Sequence, residues 1–381
     1  MQNSSKKYII FGAGRYGEEA LLYYGIKNVA FFCDNNKAGS MIKGVEVISF
    51  TKLQQIYQDY RVVLAVANAG YKAEMQKQLE SLGIEYEYFF TLNSVLTKNN
   101  FEGEYKFINR SKDKEKLLIV LAGYKDYLWD GVFSRLEKYV PKDTDVCIMT
   151  AGYESEALEE ICEKHDWSYL CTVENKLSLT QNITIKVHPA AKWIYKIDED
   201  IFVTPGLFEE LFDTYQYVID EKKHTVGCVV PIMAINSYGY RRVLELTNSI
   251  DEYEQKYGSA IYGRGPVFSN SDVAEYMWEK TLPLNSFAER VSRSEQKYSI
   301  CYHRYSIGCI LIPRAIWEEL GGFQIAPEGV LGVDEEHFCM WCMNKSYAIV
   351  VAERAYAGHF AFGPQTERMK SLYSMNPERW Q

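Results

Sequence analysis

The feature of this sequence that most limits its fold is an alternation of short apolar runs with helical stretches. The runs from Tyr8 to Phe11, Ala30 to Cys33 and Val62 to Val66 have the length and composition of strands. The segment from Glu18 to Tyr24, between the first two runs, has helical character. Because strands that alternate with helices form parallel sheets, we predict a small Rossmann-like α/β domain over residues 1–95.

A second series with the same alternation starts further along the chain. Its strands are expected at Leu117–Leu121, Val146–Thr150, Tyr169–Cys171 and Trp193–Ile197. The polar, charge-rich stretch before it, residues 96–115, has the composition of a linker. We therefore expect a second, mixed α/β domain over residues 116–381, with an irregular, glycine-rich insert at about 224–300 that helps to form a substrate site.

Composition excludes some classes of partner and location. The formal net charge of -9 disfavours a nucleic-acid partner, because phosphate backbones are bound by clustered Lys and Arg. No apolar stretch approaches the length of a bilayer span, so no transmembrane segment is expected. The nine cysteines lack disulfide-like spacing. These properties favour a cytoplasmic protein and leave open peripheral contact with the inner face of the membrane, while the oligomeric state is not indicated.

A glycine-rich turn follows the first predicted strand and opens the first helix. Its residues include Gly12, Gly14, Arg15, Tyr16 and Gly17. Such a turn lets a diphosphate approach bare backbone at the positive end of a helix. Asp34 closes the second strand, where an acid can accept hydrogen bonds from ribose hydroxyls. The pattern predicts an NAD-like nucleotide or a nucleotide-sugar ligand, and the alternative is that the glycines only form a tight turn.

The second series ends in an acidic triplet at Asp198, Glu199 and Asp200, directly after the predicted strand from Lys192 to Ile197. In an extended chain Asp198 and Asp200 point to the same side, where two carboxylates can hold a hard divalent cation. A solvated acidic strand end is the alternative. The position favours a site, because open parallel sheets bind ligands at the carboxyl ends of their strands.

Several motifs occur in a fixed order along the second domain: the strand and turn from Leu117 to Tyr124, then KIDEDIFVTPG, LGGF and GVDEEHF. Together they resemble GT-A glycosyltransferases of the family 2 type, from Leu117 to Gly363. The resemblance implies transfer of a sugar, with inversion, from a nucleotide-sugar donor to a hydroxyl of a glycan or glycolipid acceptor in cell-surface polysaccharide synthesis. It also implies Mn2+ or Mg2+ as cofactor. The first domain, through FGAGRYG and FFCDNNKAG, resembles Rossmann domains attached to bacterial sugar-modifying enzymes.

The same resemblance assigns roles to individual residues. The metal ligands would be Asp198, Asp200 and His359, and the donor site would include Asp198, Ala122, Gly123, Tyr124, Asn182 and Lys186. The general base would be Glu335, with Asp334 beside it, although the order here is Asp-Glu rather than the commoner Glu-Asp. The alternatives are capping of a helix by the two acids, an exposed helix face for Asn182 and Lys186, and a structural role for His359.

Two other functions stay open at the level of sequence. A sugar nucleotidyltransferase would need a glycine-rich, basic loop after Leu121, and the segment from Ala122 to Lys125 is short for one. A nucleotide-sensing protein without transferase activity would use the first domain and leave the acids idle. Hydride transfer in the first domain is disfavoured, because no Tyr-x-x-x-Lys pair follows the glycine turn at a suitable spacing.

Overall fold

The computed structural model divides the chain into two compact units, Met1–Val95 and Leu96–Gln381. The residues that it describes are 6–66, 69–89, 101–326 and 332–380. Within those residues, no helix has both the length and the apolar character needed to cross a bilayer.

The first unit contains a six-stranded, mainly parallel sheet with the order β3-β4-β2-β1-β5-β6. Its elements are β1 Tyr8–Phe11, α1 Arg15–Tyr24, β2 Val29–Cys33, β3 Met41–Ile42, β4 Val45–Ile48, α2 Phe50–Ile56, β5 Arg61–Leu64, α3 Ala69–Glu80 and β6 Tyr86–Tyr88. The central strand β1 pairs in parallel with both β2 and β5. The predicted parallel α/β sheet is therefore confirmed for this unit.

Both faces of this sheet are buried, which explains its short continuous apolar strands. Ile10 and Val63 belong to an apolar cluster on one face, whereas Ile9, Phe11 and Val62 belong to a cluster on the other. Successive side chains of a strand alternate between faces, so a run such as YIIF supplies both clusters.

The second unit contains a nine-stranded mixed sheet with the order β14-β16-β13-β15-β11-β8-β9-β10-β7, and a two-stranded ribbon, β12-β17. The strands are β7 Tyr105–Ile108, β8 Lys116–Leu121, β9 Thr144–Ala151, β10 Ser168–Thr172, β11 Trp193–Asp198, β12 Ile201–Phe202, β13 Thr225–Ile232, β14 Tyr298–Cys301, β15 Cys309–Pro313, β16 Tyr347–Tyr356 and β17 Gly358–His359. The helices are α4 Trp129–Tyr139, α5 Glu156–Lys164, α6 Leu177–Lys186, α7 Leu207–Glu221, α8 Gly239–Leu246, α9 Ile250–Tyr257, α10 Ser271–Thr281, α11 Leu284–Ser292, α12 Arg314–Leu320, α13 Val333–Asn344 and α14 Thr366–Met375. The mixed α/β architecture expected for this part of the chain is confirmed.

The expected linker at residues 96–115 is wrong over part of its described length. Strand β7 pairs antiparallel with β10 at the edge of the sheet. The backbone amides of Lys112 and Lys114 both donate to the carboxylate of Asp145, at 3.0 Å. The charged side chains in this stretch reflect an edge strand, which is exposed on one side, rather than a free connection.

The expected irregular insert at residues 224–300 is also wrong. It begins with β13, a buried strand between β15 and β16, and continues through the helices α8 to α11. Its glycines allow close packing rather than disorder: a Cβ on Gly239 would lie 2.2 Å from the carbonyl oxygen of Met233, and one on Gly265 would lie 2.5 Å from the ring of Tyr240. Glycine marks a close approach of chain segments here.

Three pieces of chain meet at the carboxyl edge of the second sheet. The last residue of β11, Asp198, pairs in register with Leu121 at the end of the parallel strand β8. Strand β15 runs antiparallel beside β11, so its start lies at the same edge, next to Gly308. The β12-β17 ribbon follows the acidic triplet and pairs Ile201 with His359. This edge therefore gathers side chains from distant parts of the sequence.

Candidate functional site

The acidic triplet lies in a turn at the end of β11. The amide of Asp198 donates to the carbonyl of Gly308 at 2.9 Å, and the amide of Glu199 donates to that of Leu121 at 2.9 Å. The chain then leaves the extended conformation, so Asp200 is not placed by strand alternation as the sequence had suggested. Its position is fixed instead by the ribbon, because the amide of Phe360 donates to the carbonyl of Asp200 at 3.0 Å.

Glu199 is the structural member of the triplet. Its carboxylate is buried and accepts hydrogen bonds from the amides of Gly123 and Tyr124, at 2.8 and 2.7 Å, and from the indole of Trp129 at 2.7 Å. Those bonds hold the turn after β8 against the turn after β11. They also occupy two amides of the turn that had been assigned to the donor.

Asp198 is paired with a buried lysine from its own strand. The ammonium of Lys196 donates to Oδ1 of Asp198 at 2.7 Å and to the carbonyl of Ile307 at 2.8 Å. Burial raises the pKa of Asp198; Lys196 opposes that rise and the negative charge of Asp200 adds to it. Burial alone would lower the pKa of Lys196, but the carboxylates of Asp198, Asp334 and Glu335 raise it.

Asp200 is buried and is paired with a second lysine. The ammonium of Lys125 donates to its Oδ2, whereas its Oδ1 is buried without a hydrogen-bond partner. Burial alone would raise the pKa of Asp200, but the charges of Lys125 and His359 outweigh that effect and lower it. Nδ1 of His359 lies 3.0 Å from the carbonyl oxygen of Ile235, and a proton on Nδ1 would leave Nε2 free to bind a ligand.

The side-chain atoms beside Gly308 are of the element types that bind a divalent cation. A Cβ at this glycine would lie 3.2 Å from Oδ2 of Asp198 and 3.5 Å from Nε2 of His359. Oδ2 of Asp198, Nε2 of His359 and the orphaned Oδ1 of Asp200 are oxygen and nitrogen atoms of the kind that Mn2+ accepts. Across the described ranges, however, no group of three or more His, Cys, Asp or Glu side chains is arranged to hold a metal ion. Two carboxylate oxygens carry ammonium groups instead.

The predicted base lies in the first turn of α13. Oε1 of Glu335 accepts from the guanidinium of Arg304 at 2.5 Å, and Oε2 accepts from the amide of Ile307 at 3.2 Å. Asp334 turns back to accept from the amide of Glu335 at 3.0 Å. Asp334 thus bonds within its own helix turn, and the N-cap, Gly332, has no side-chain cap, whereas Glu335 reaches across to the segment before β15.

One residue joins the two acidic groups. The carbonyl of Ile307 accepts from Lys196, which also binds Asp198, and the amide of Ile307 donates to Glu335. The acidic triplet and the predicted base therefore line the same edge of the sheet, linked through Lys196 and the backbone of Ile307.

An aromatic rim lies beside the triplet at the ends of β8 and β9. The hydroxyl of Tyr124 donates to Oδ1 of Asn175 at 2.9 Å, and its ring stands edge-on to that of Tyr153 with centroids 6.1 Å apart. Tyr124 is 56% exposed and Tyr153 is 36% exposed, so both rings can contact a ligand. Gly123 has a φ of 129°, a conformation that favours glycine, and a Cβ there would lie 1.9 Å from the hydroxyl oxygen of Tyr153. Ala122 is fully buried beneath them.

Two residues predicted for the donor site are corrected by the structure. Asn182 is fully buried; its amide donates to the carbonyl of Phe323 at 2.8 Å and accepts from the amide of Phe323 and the indole of Trp317. It is neither on an exposed helix face nor open to a donor, and it anchors the LGGF segment. Lys186 ends α6, which leads to the amino end of β11, and its ammonium lies 3.5 Å from the carbonyl oxygen of Phe101. It is therefore at the opposite edge of the sheet from Asp198.

The glycine turn of the first unit has the packing that its sequence suggested. A Cβ on Gly12 would lie 2.4 Å from the carbonyl oxygen of Ala65, and one on Gly17 would lie 2.0 Å from that of Gly12. No heavy atom lies within 4 Å of a Cβ on Gly14, so the space there is open. Asp34 accepts from the amide of Ala13 at 3.3 Å. These contacts explain the glycines, and nucleotide binding by them stays a prediction.

Of the remaining residues of the turn, Arg15 is exposed, whereas Tyr16 is half-buried and packs against the apolar cluster on one face of the sheet. Arg15 forms a surface ion pair with Glu19 at 3.1 Å, and the ring of Tyr16 stands edge-on to that of Phe89 at 5.8 Å. Neither contact indicates whether this turn binds a ligand.

Sequence analysis missed four side chains that shape the second site: Lys125, Tyr153, Asn175 and Lys196. A signal existed only for Lys196, a lysine within an apolar strand two residues before Asp198 and so on the same face of that strand. The others follow different strands, and their convergence depends on strand order.

No protein-family model and no curated protein matches the chain. Among solved structures, it is similar to GalNAc-T7 with UDP, GalNAc and Mn2+, at 11% identity over 71% of this chain and 52% of that one, with a TM-score of 0.39. It is also similar to the mannosyltransferase PcManGT from Pyrobaculum calidifontis in complex with GDP-Man and Mn2+, at 14% identity over 75% of this chain and 67% of that one, with a TM-score of 0.40. The chain thus spans about half the length of the first of these. A third, WeeI from Acinetobacter baumannii AYE, is 13% identical over 38% of this chain and 55% of that one, with a TM-score of 0.20. Likenesses this distant leave the function to be argued from the site.

Proposed function

We propose that the second unit is a GT-A-type glycosyltransferase of the family 2 kind, which transfers a sugar from a nucleotide-sugar donor to a hydroxyl acceptor with inversion. The observation that carries the proposal is the bridge through Ile307, which brings Asp198 and Glu335 to one edge of the sheet. A transferase needs both groups there, one for the leaving diphosphate and one for the attacking hydroxyl.

The donor side is formed by the triplet and the aromatic rim. Asp198, Asp200 and His359 would hold Mn2+ or Mg2+, which neutralises charge on the departing diphosphate when it is bound. The exposed rings of Tyr124 and Tyr153 suit stacking of the nucleoside base. Glu199 contributes indirectly, because it fixes the turn that carries Tyr124.

The acceptor side is formed by α13 and the segment before β15. Glu335 takes the proton from the acceptor hydroxyl as the hydroxyl oxygen attacks the anomeric carbon. The bond between the anomeric carbon and the donor phosphate oxygen breaks on the opposite face of the sugar. Arg304 and the amide of Ile307 orient the Glu335 carboxylate. We include a glycan or glycolipid acceptor of cell-surface polysaccharide synthesis in the proposal, since the exposed ring of Tyr302, two residues before Arg304, can stack on a sugar.

The first unit is proposed to bind a nucleotide or nucleotide-sugar at Gly12, Gly14 and Asp34, with a regulatory or binding role. The open space at Gly14 supports this assignment. We also propose a cytoplasmic location, which the nine free, buried cysteines support.

A thermal-shift screen with a nucleotide-sugar panel, with and without Mn2+, tests the proposal, because selective binding stabilises the fold. Product analysis follows for any donor that binds. Release of a nucleoside diphosphate supports transfer, whereas release of pyrophosphate would assign the site to a nucleotidyltransferase. Stabilisation by free nucleotide without turnover of any donor would favour the sensing function instead.

A further inference from the structure

The lysines paired with Asp198 and Asp200 differ in their burial and in the number of acceptors that each one contacts. Lys196 lies within β11 with 3% of its side chain exposed, and it has a second acceptor in the carbonyl of Ile307. Lys125 lies in the loop between β8 and α4, its side chain is 16% exposed, and it donates to Asp200. A loop side chain can change its partner at a lower cost than a side chain fixed within a strand.

Asp200 has one oxygen on the ammonium of Lys125 and one buried oxygen without a partner. A divalent cation placed on the free oxygen would stand close to that ammonium, and like charges repel. A diphosphate brought to the same place offers the ammonium a more highly charged acceptor than Asp200. The two ligands of the proposed reaction therefore both act to separate Lys125 from Asp200.

We propose that Lys125 is an exchangeable counter-ion: it occupies Asp200 before the divalent cation binds and transfers to the diphosphate of the donor once the cation is in place. This inference rests on the proposed function of the same site. In the structure, Lys125 holds one carboxylate oxygen of Asp200 and Lys196 holds one of Asp198. The inference gives Lys125 a role in ordering the binding of cation before donor.

The test compares wild type with Lys125→Gln, which removes the charge and keeps most of the length of the side chain. Mn2+ binding to the ligand-free, full-length protein is measured from the electron paramagnetic resonance signal of free Mn2+. We expect Lys125→Gln to bind Mn2+ about tenfold more tightly, because the competing ammonium is gone. Calorimetry with UDP and GDP at saturating Mn2+ is then expected to show about tenfold weaker binding of the diphosphate that wild type prefers.

Two control variants separate this effect from a change in overall charge. Lys125→Arg keeps the cation and should retain wild-type behaviour within a few fold. Lys142→Gln removes an exposed lysine two residues before β9, at the amino edge of the sheet, and should change neither affinity. Unchanged or weaker Mn2+ binding by Lys125→Gln, with wild type binding both Mn2+ and a diphosphate, would overturn the counter-ion role alone. Absence of Mn2+ and diphosphate binding in both wild type and Lys125→Gln would overturn the proposed function together with it.

Discussion

The carboxyl edges of the two sheets use an aspartate in different ways. In the first unit, Asp34 follows β2 and its carboxylate accepts from the amides of Ala13 and Asn36, at 3.3 and 2.9 Å. In the second unit, Asp198 is the last residue of β11, Asp200 lies two residues beyond it, and both are bound by ammonium groups. Backbone amides compensate only part of a carboxylate charge, whereas a lysine supplies a full opposite charge, which helps the second edge to hold the buried Asp200.

The lysine at the first edge makes the contrast sharper. The ammonium of Lys37 donates to the carbonyl of Ala13 at 2.8 Å and not to Asp34. The first edge is thus shaped by glycines and backbone groups, and the second edge is shaped by charge. A site that binds through backbone and open space suits recognition, whereas a site with buried, paired charges suits stabilisation of a developing charge in a reaction.

Matched substitutions at the two edges give the largest expected difference. Asp200→Asn should lower the rate of donor turnover on the order of a thousandfold, because it removes a charged ligand from the proposed cation site. Asp34→Asn should leave that rate within a few fold of wild type. Steady-state release of nucleoside diphosphate by both variants checks this, and similar losses in the two would mean that the edges do not differ in the way we describe.

A second pair of substitutions tests which carboxylate at the carboxyl edge of the second sheet acts as the general base. Glu335→Gln should lower the rate of transfer to the acceptor by about a hundredfold or more, since a general base typically contributes this much. Mn2+ and nucleoside diphosphate affinities should be retained, because Glu335 bonds to Arg304 and Ile307 rather than to the triplet. Asp334→Asn, at the adjacent position, should have the smaller effect on transfer. The reverse ranking would move the base to Asp334.

The parts of this architecture that sequence predicted are those set by local pattern. The strands that became β1, β8 and β9 contain continuous apolar runs, and β11 is apolar up to Asp198 except for Lys196, because both faces of each sheet are covered. The placement of the triplet at a sheet edge followed from its position directly after such a run. The insert was misjudged because Gly239 and Gly265 look like loop residues in sequence and serve close packing in the fold.

The parts that sequence did not predict depend on which strands lie side by side. Lys125 follows β8 and Asp200 follows β11, and only the parallel pairing of those strands brings them together. Asn182 was misassigned because TQNITI has polar residues on a helix that is buried on nearly every side. A polar side chain there requires internal partners, and those partners lie more than a hundred residues away, at Trp317 and Phe323.

Glu199→Gln tests whether the buried carboxylate of Glu199 contributes to the free energy of unfolding of the second unit. The carboxylate accepts three hydrogen bonds, and an amide group in its place would turn a donor toward an existing donor. We expect the free energy of unfolding of the second unit to fall by about 2 kcal/mol. All seven tryptophans lie in this unit, so urea unfolding followed by tryptophan fluorescence reports on it alone. Asp213→Asn, at an exposed carboxylate on α7, is the control and should unfold at the wild-type midpoint.

The smallest effects are expected at the backbone-shaped edge, and they separate packing from binding. Gly17→Ala should destabilise the first unit by about 1 kcal/mol or more, because its Cβ would fall 2.0 Å from the carbonyl oxygen of Gly12. Gly14→Ala, whose Cβ meets no heavy atom within 4 Å, should lower stability by only about 0.5 kcal/mol, the difference between glycine and alanine at a helix N-cap. Hydrogen exchange of the α1 amides measures the loss of stability in both variants.

If this edge binds a nucleotide as proposed, Gly14→Ala should nevertheless weaken that binding about tenfold, since the added methyl group occupies the space that a diphosphate would need. Unchanged nucleotide affinity in a stable Gly14→Ala variant would leave the glycines with a packing role only, and the contrast between the two edges would then be one between a folded turn and a reactive site.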